Sequence, residues 1–360
     1  MTEPAAPPTG PSDFERTLDK ADASVASFEE DRPGPLQIVR GFLHTYPIAI
    51  PAFVLVVSVL VFGLAAGPRF LTLGNLSLVV QQVTVTGIVA IAQTLIILTA
   101  GIDLSVGAIM VLSSIVMGKL AVDTGLPPLL AVAIGVAAGT LMGFVNGLLV
   151  TRMRLPPFIV TLGTLNIFSA LKLWYSGSVS IRGVDVEKSA PELLWFGETF
   201  NVFGASITYG GIALVVIAFL AWYLLARTAW GRHVHAIGDD PDAAMLAGIQ
   251  ANRTLVSVYA LAGAICAVAA WVMIGRVGSV TPLAGESTNL DTITAVVIGG
   301  TSLFGGRGSI VGSVLGALIV GVFRNGLSLA GVDVLWQDFT VGILIILAVA
   351  IDQWLRRASS

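Results

Sequence analysis

The sequence predicts an all-α protein that crosses a membrane about ten times. Of its 360 residues, 55% are hydrophobic and only 11% are charged, where a soluble domain carries roughly 25% charged residues. Apolar runs near 20 residues long recur along the chain. That is about the length a helix needs to cross a ~30 Å hydrocarbon core, and a helix satisfies its own backbone hydrogen bonds there. Short polar stretches bearing Gly, Pro or Arg separate the runs.

Residues 1–40 hold eight acids against four bases. They read as a soluble, disordered acidic tail, with helical character over Asp13–Glu30. The remainder, 41–360, is the membrane domain. Its first span is about Tyr46–Ala66, and Gly67-Pro68-Arg69 turns the chain. The second span is about Val79–Leu98. The third follows Gly101-Ile102-Asp103-Leu104-Ser105, a polar interruption at or near membrane depth, and ends near Ala121. The fourth starts at Pro127-Pro128 and ends at Val150; the fifth runs from Pro156-Pro157 to Trp174. A hydrophilic connection, 176–206, leads to the sixth, about Thr208–Leu225. After a polar loop, Arg227–Arg253, comes the seventh, about Leu255–Ile274. The eighth, Asp291–Phe304, is short for a straight crossing, so it is expected to be broken or to begin inside the polar loop 276–290. The ninth is about Ser309–Ala330 and the tenth about Leu335–Trp354.

Lys and Arg set the orientation. With the N-terminus inside, nine basic residues near the spans (Arg40, Arg152, Arg154, Arg227, Arg232, Arg253, Arg307, Arg356 and Arg357) are cytoplasmic and six are outside. The positive-inside rule then puts both termini and the loop 227–253 in the cytoplasm. The net charge of −3 says little about partners, because much of the acid sits in one tail; no nucleic-acid partner is expected. The one cysteine, Cys266, lies in an apolar run and reads as a core residue.

The chain also echoes itself. Gly135, Gly139, Gly143 and Gly147 recur every four residues in the fourth span, and Gly308, Gly312 and Gly316 do so around the ninth. Such stripes let helix backbones approach closely. Phe144-Val145-Asn146-Gly147-Leu148 is similar to Phe323-Arg324-Asn325-Gly326-Leu327. The two spans run in opposite directions, which predicts an inverted repeat of spans two to five and seven to ten, a transporter arrangement.

Polar groups at membrane depth are costly and usually face a cavity or a partner. Gln93, Asp103, Asn146, Thr161, Asn166 and Asn325 are the candidates for a weakly polar path, with Asp291 and Arg324 beside them; inter-helix hydrogen bonding, capping by Asp103 at the break, and an Arg324 that reaches to the outer surface are the alternatives. No phosphate-cradling Gly-x-x-x-x-Gly-Lys-[Ser/Thr], zinc-peptidase His-Glu-x-x-His or hydrolase Gly-x-Ser-x-Gly occurs. His233 and His235 read as solvated loop residues, not metal ligands, and no cofactor is expected in this chain. An uphill transporter of this kind would draw on an ion gradient or on another polypeptide.

Within the loop 227–253 one small helix has both ends written in. Asp239 precedes it. Asp240 suits the N-cap and Pro241 the first helical position, and Asp242 complements the positive end of the helix dipole. Ala243, Ala244, Met245 and Leu246 follow, and Gly248 can take the left-handed conformation that ends a helix. Met245, Leu246 and Ile249 supply an apolar face that could pack on the chain itself or enter a partner's groove.

Three stretches carry a family resemblance. Gln93–Gly107 (Gln-Thr-Leu-Ile-Ile-Leu-Thr-Ala-Gly-Ile-Asp-Leu-Ser-Val-Gly), Leu155–Thr164 and Ala295–Gly308 resemble the permease subunits of ribose-type ABC sugar importers, over about residues 45–355. Thr228–Arg232 with Gly238–Ala244 resembles that family's EAA-type loop. Fructose-type permeases look nearest, by the Gly-Asp-Asp-Pro loop, Phe-Gly-Gly-Arg-Gly and Ala350–Trp354; the acidic tail is longer than the lead of most members. The resemblance implies a type II importer fold in a bacterial inner membrane. It also implies a second permease copy, in a homodimer, and a separate ATPase subunit that binds ATP and Mg and is driven through Asp239–Gly248. An extracytoplasmic sugar-binding protein would dock on 176–206 and 276–290. An ion-coupled secondary transporter of a small polar solute is the other reading; an intramembrane enzyme or passive pore fits less well, with no nucleophile–base pair and no ring of charge.

Overall fold

A computed structural model describes residues 48–285 and 287–357. The acidic tail, with the helix expected over Asp13–Glu30, and the start of the first span lie outside the described residues.

The membrane helices are α1 (Ala49–Ala65), α2 (Leu73–Leu98), α3 (Val106–Gly118, extended by a π-turn, Lys119–Asp123), α4 (Pro128–Met153) and α5 (Pro157–Ser176). A short α6 (Gly183–Ser189), a 3-10 turn (Pro191–Gly197) and a hairpin of β1 (Thr199–Val202) and β2 (Ala205–Thr208) follow. Then come α7 (Tyr209–Arg227), α8 (Ala229–Asp239), α9 (Pro241–Leu246), α10 (Ala251–Val277), α11 (Thr288–Ile298), α12 (Ile310–Leu329) and α13 (Val334–Arg357). Among the described residues seven helices are long and apolar enough to cross a membrane; α1, α11 and the apolar part of α13 are the shorter apolar ones.

Local chemistry explains the boundaries. The second span starts six residues earlier than its apolar run, because Thr72 Oγ1 accepts the Asn75 N–H at 3.3 Å and caps α2. Proline opens α4 and α5 at their first turns. The eighth segment begins inside the polar loop, one of the two forms its shortness left open, and remains short at 11 residues. It stops at Ile298 rather than Phe304, because Gly299, with Gly300 at φ +81°, turns the chain.

The packing carries the inverted repeat. The largest helix contact is α4 on α10, and its image under the repeat is α12 on α2. Likewise α3 packs on α4, α5 and α10, while α11 packs on α12, α13 and α2. The central pair α2 and α10 contact each other, and α2 is buried along most of its length. By contrast α5 and α7 present exposed apolar side chains such as Phe158, Ile159, Val215 and Phe219, the surface that hydrocarbon or another membrane chain covers.

Glycine makes the close approaches. A Cβ on Gly139 would lie 2.8 Å from the Gly263 carbonyl oxygen, one on Gly147 would lie 2.9 Å from Val256 Cα, and one on Gly143 would run into the Tyr259 carbonyl. Gly135 faces Met117 of α3. Gly312 and Gly316 face a different neighbour, the Ala295 and Gly299 backbone of α11, and Gly308 lies ahead of α12 against Thr301. Gly139, Gly143 and Gly147 thus pack on α10, whereas Gly312 and Gly316 pack against α11, the repeat mate of the α3 that Gly135 meets.

Candidate functional site

α2 has 26 residues, about 39 Å at 1.5 Å per residue, so its two ends mark the two faces of the bundle. Polar residues gather at both.

At the Leu98 end the chain breaks over 99–105, and side chains from three other places hold the break. Asp103 Oδ1 accepts the Ser105 N–H and the Ser105 hydroxyl, both at 2.6 Å. Asn146 Nδ2 donates to Ser105 Oγ at 2.8 Å and reaches Asp103 Oδ2 at 3.4 Å. The Gln93 carboxamide, with its oxygen and nitrogen placed to suit, pairs with both the N–H and the carbonyl of Asp103, at 3.3 and 3.1 Å. Thr161 Oγ1 accepts the Leu104 N–H at 3.2 Å. Gln93, Asp103, Asn146 and Thr161 are all at most 1% exposed. Four of the six residues expected along a path thus form one closed cluster, in which a buried carboxylate is met by donors rather than by a cation. Such a network rigidifies a packed region only when its members are satisfied. Here Asn146 Oδ1 and the Tyr259 hydroxyl find no partner among the described residues.

The same end receives the polar loop. Asp240 Oδ1 accepts the Asp242 and Ala243 N–H groups at 2.9 and 3.0 Å, with Pro241 at the first position of α9. Gly248, at φ +83°, donates its N–H to the Met245 carbonyl, and Ile249 donates to Ala244. This is a Schellman ending. Ala244 is buried, whereas Met245 is 53% and Leu246 90% exposed. Asp239, Asp240, Asp242 and Ala243 are exposed as well.

α8, which precedes it, is clamped to the membrane helices. Trp230 Nε1 donates to Ser257 Oγ of α10 at 2.8 Å. His235 Nδ1 lies 3.0 Å from the Gly306 carbonyl oxygen, and Gly306 N–H donates to the Leu98 carbonyl at 3.0 Å. A Cβ on Gly238 would clash with Leu98 O and lie 2.6 Å from Gly306 N. The expectation of a solvated His235 is therefore corrected: it is half-buried in a helix and bonded to the 299–309 loop. The stretches around Asp103, Gly306 and Gly238, far apart in sequence, make one mechanical junction.

At the Asn75 end Asn325 and Asn75 exchange side-chain hydrogen bonds at 2.9 and 3.1 Å. Arg324 donates to Asp291 at 2.7 Å and to Asp338 at 3.0 Å, so it is tied down rather than reaching freely to the surface. Asn75, Asp291, Arg324 and Asn325 border a cavity of about 670 Å³ between α2, α10, α11, α12 and α13, and of the six path candidates only Asn325 lines it. Asn166 is on the exposed face of α5, where its amide donates to the Leu162 carbonyl. Beside the cavity the connections 176–206 and 276–290 join: Ile181 and Val280 exchange backbone hydrogen bonds at 2.8 and 3.1 Å, and Ser180 bonds Thr281 at 2.8 Å. Trp195 and Phe196 pack on Trp271 of α10.

Residues 75–349 match the family described as "Branched-chain amino acid transport system / permease component". The chain belongs to this permease family. This permease is 52% identical over 359 residues to the fructose import permease protein FrcC of Rhizobium meliloti, covering 100% of this chain and 99% of that one. It is 40% identical over 305 residues to the ribose import permease protein RbsC of Bacillus subtilis, covering 84% and 90%. It is 36% identical over 309 residues to the D-allose transport system permease protein AlsC of Escherichia coli K12, covering 85% and 91%. No solved structure matches the permease. Members are transport subunits rather than enzymes, and among the described residues no three His, Cys, Asp or Glu gather as metal ligands.

Sequence reasoning missed α8 and its clamp. The signal was present as Trp230, Val234 and Ile237, apolar at helical spacing in a polar loop.

Proposed function

We propose that this permease is the membrane-spanning subunit of an ATP-binding-cassette importer that carries a monosaccharide, of the fructose or ribose class, into a bacterial cytoplasm. Residues 41–360 are its transport domain, 227–253 its cytoplasmic loop, and 1–40 an acidic cytoplasmic tail; both termini are cytoplasmic. A second copy of the chain completes the membrane unit. ATP and Mg belong to a separate ATPase. The joined surface of 176–206 and 276–290 receives a sugar-loaded extracytoplasmic binding protein.

The observation that carries this reading is the exposed apolar end of α9. Met245 and Leu246 point away from the chain, on a helix capped at both ends and clamped through α8. An amphipathic helix with an unburied apolar tip fits a groove on a partner. ATP-driven closure of the ATPase pair would push on α9, and the stack of Gly238, Gly306 and Leu98 would pass the movement to the Asp103 cluster. Gln93, Asp103, Asn146 and Thr161 would then part to open the inner end of the path, and Asn325 sits at its outer end. Amides and hydroxyls suit a neutral polyol, and weak contacts let it go.

The test is a complete importer in nanodiscs, with ATP hydrolysis measured with and without sugar-loaded binding protein. Leu246→Glu is expected to insert and assemble its membrane part normally yet lose the stimulation. Undiminished stimulation would overturn the coupling role of α9. Failure of the wild-type chain to co-purify with any ATPase, with uptake driven by an ion gradient instead, would overturn the importer reading.

A further inference from the structure

The cavity at the Asn75 end has the chemistry of a binding site, not merely of a passage. We propose that the permease itself holds a low-affinity monosaccharide site there, read by Gln82, Thr288, Asp291, Arg324 and Asn325; this rests on the importer reading above. Its size, about 670 Å³, falls within the roughly 300–1,000 Å³ of small-molecule sites.

The polar wall is pre-ordered and has capacity to spare. Arg324 is fixed by Asp291 and Asp338, which meet its charge, so the guanidinium offers directed donors and no free cation. Asp291 is itself oriented by the Ser287 hydroxyl at 3.0 Å. A guanidinium held beside a carboxylate presents donors and acceptors side by side, the pattern that vicinal hydroxyls match. The Gln82 carboxamide lines the cavity with no hydrogen bond of its own among the described residues, while its backbone carbonyl is held by Arg276 at 3.1 Å. Leu78 and Val85, on the same face of α2 as Gln82, and Met273 of α10 add apolar lining for the C–H face of a sugar ring. A ligand that is neutral, ring-shaped and hydroxyl-rich uses both the polar and the apolar lining; an ion or an apolar solute uses only one.

The consequence is that the membrane subunit discriminates between sugars in its own right. Wild-type permease in nanodiscs, without binding protein or ATPase, should give a saturable ligand-observed NMR signal with D-fructose or D-ribose. Gln82→Leu and Thr288→Val should each weaken it about tenfold, the loss of one or two hydrogen bonds. In the complete importer the same variants should slow uptake of the sugar. Uptake by the importer with no saturable signal from the permease, or variants that bind as the wild type does, would overturn the site and leave the importer reading intact. An importer that takes up no monosaccharide would overturn both.

Discussion

A side chain at Gly143 has nowhere to go. Its Cβ would enter the space of the Tyr259 carbonyl and come within 3.1 Å of Gly263 Cα, backbone on both counts, so α4 and α10 must separate to admit even a methyl group. Overpacking of this kind typically costs about 1–3 kcal/mol. Gly143→Ala is expected to lower the thermal midpoint of the purified permease in detergent, read by size-exclusion after heating. Gly163→Ala, where a Cβ meets nothing within 4 Å, should leave it in place. Asp103 poses the complementary case. Asp103→Leu keeps the bulk but strands the Ser105 N–H and the Ser105 hydroxyl hydrogen, and an unmet buried polar group costs about 1–3 kcal/mol. Asp103→Asn retains an acceptor for Ser105. The Leu variant is therefore expected to fall well below the Asn variant in midpoint and in membrane abundance. Equal effects would mean that the network adds no stability beyond shape.

Among the elements, α9 is the one whose form depends on two residues at its ends. Gly248 sits at φ +83°, where an L-residue with a Cβ pays roughly 1–2 kcal/mol. Gly248→Ala should fray the Schellman ending and reduce sugar-stimulated ATP hydrolysis, and Gly248→Asn should restore most of it, because Asn tolerates the left-handed region. This element was legible in sequence because everything that shapes it is local: Asp240, Pro241 and Gly248 lie within nine residues of one another. The membrane helices were legible for a similar reason, since a bilayer imposes length and apolarity on each span separately. The 176–206 connection was not. Its helix, 3-10 turn and hairpin are held by distant partners, Val280 for Ile181 and Trp271 for Trp195 and Phe196. The candidate residues at membrane depth were visible one by one, but their sorting was not. That Gln93, Asp103, Asn146 and Thr161 close on one another while Asn325 faces a cavity is a result of tertiary packing, which spacing does not reveal.

For the whole molecule the inverted repeat has a consequence for its two faces. Asn146 and Asn325 are equivalent by the repeat, and one sits in a sealed cluster at the Leu98 end while the other opens on a cavity at the Asn75 end. Equivalent halves that differ in this way are what a transporter needs in order to close one end while the other is open. The arrangement also fixes what must lie on opposite sides of the membrane: the hairpin after the 3-10 turn belongs to the Asn75 end, and α9 to the Leu98 end. Cys266 is fully buried and should stay silent toward a membrane-impermeant maleimide, so the native chain serves as the background. Asn201→Cys, on the exposed strand β1, is expected to react in intact cells. Leu246→Cys, at a position 90% exposed, should react only after the membrane is permeabilised. The reverse pattern would invert the orientation and with it the direction of transport. Labelling of both variants in intact cells would put α9 outside, out of reach of any cytoplasmic ATPase.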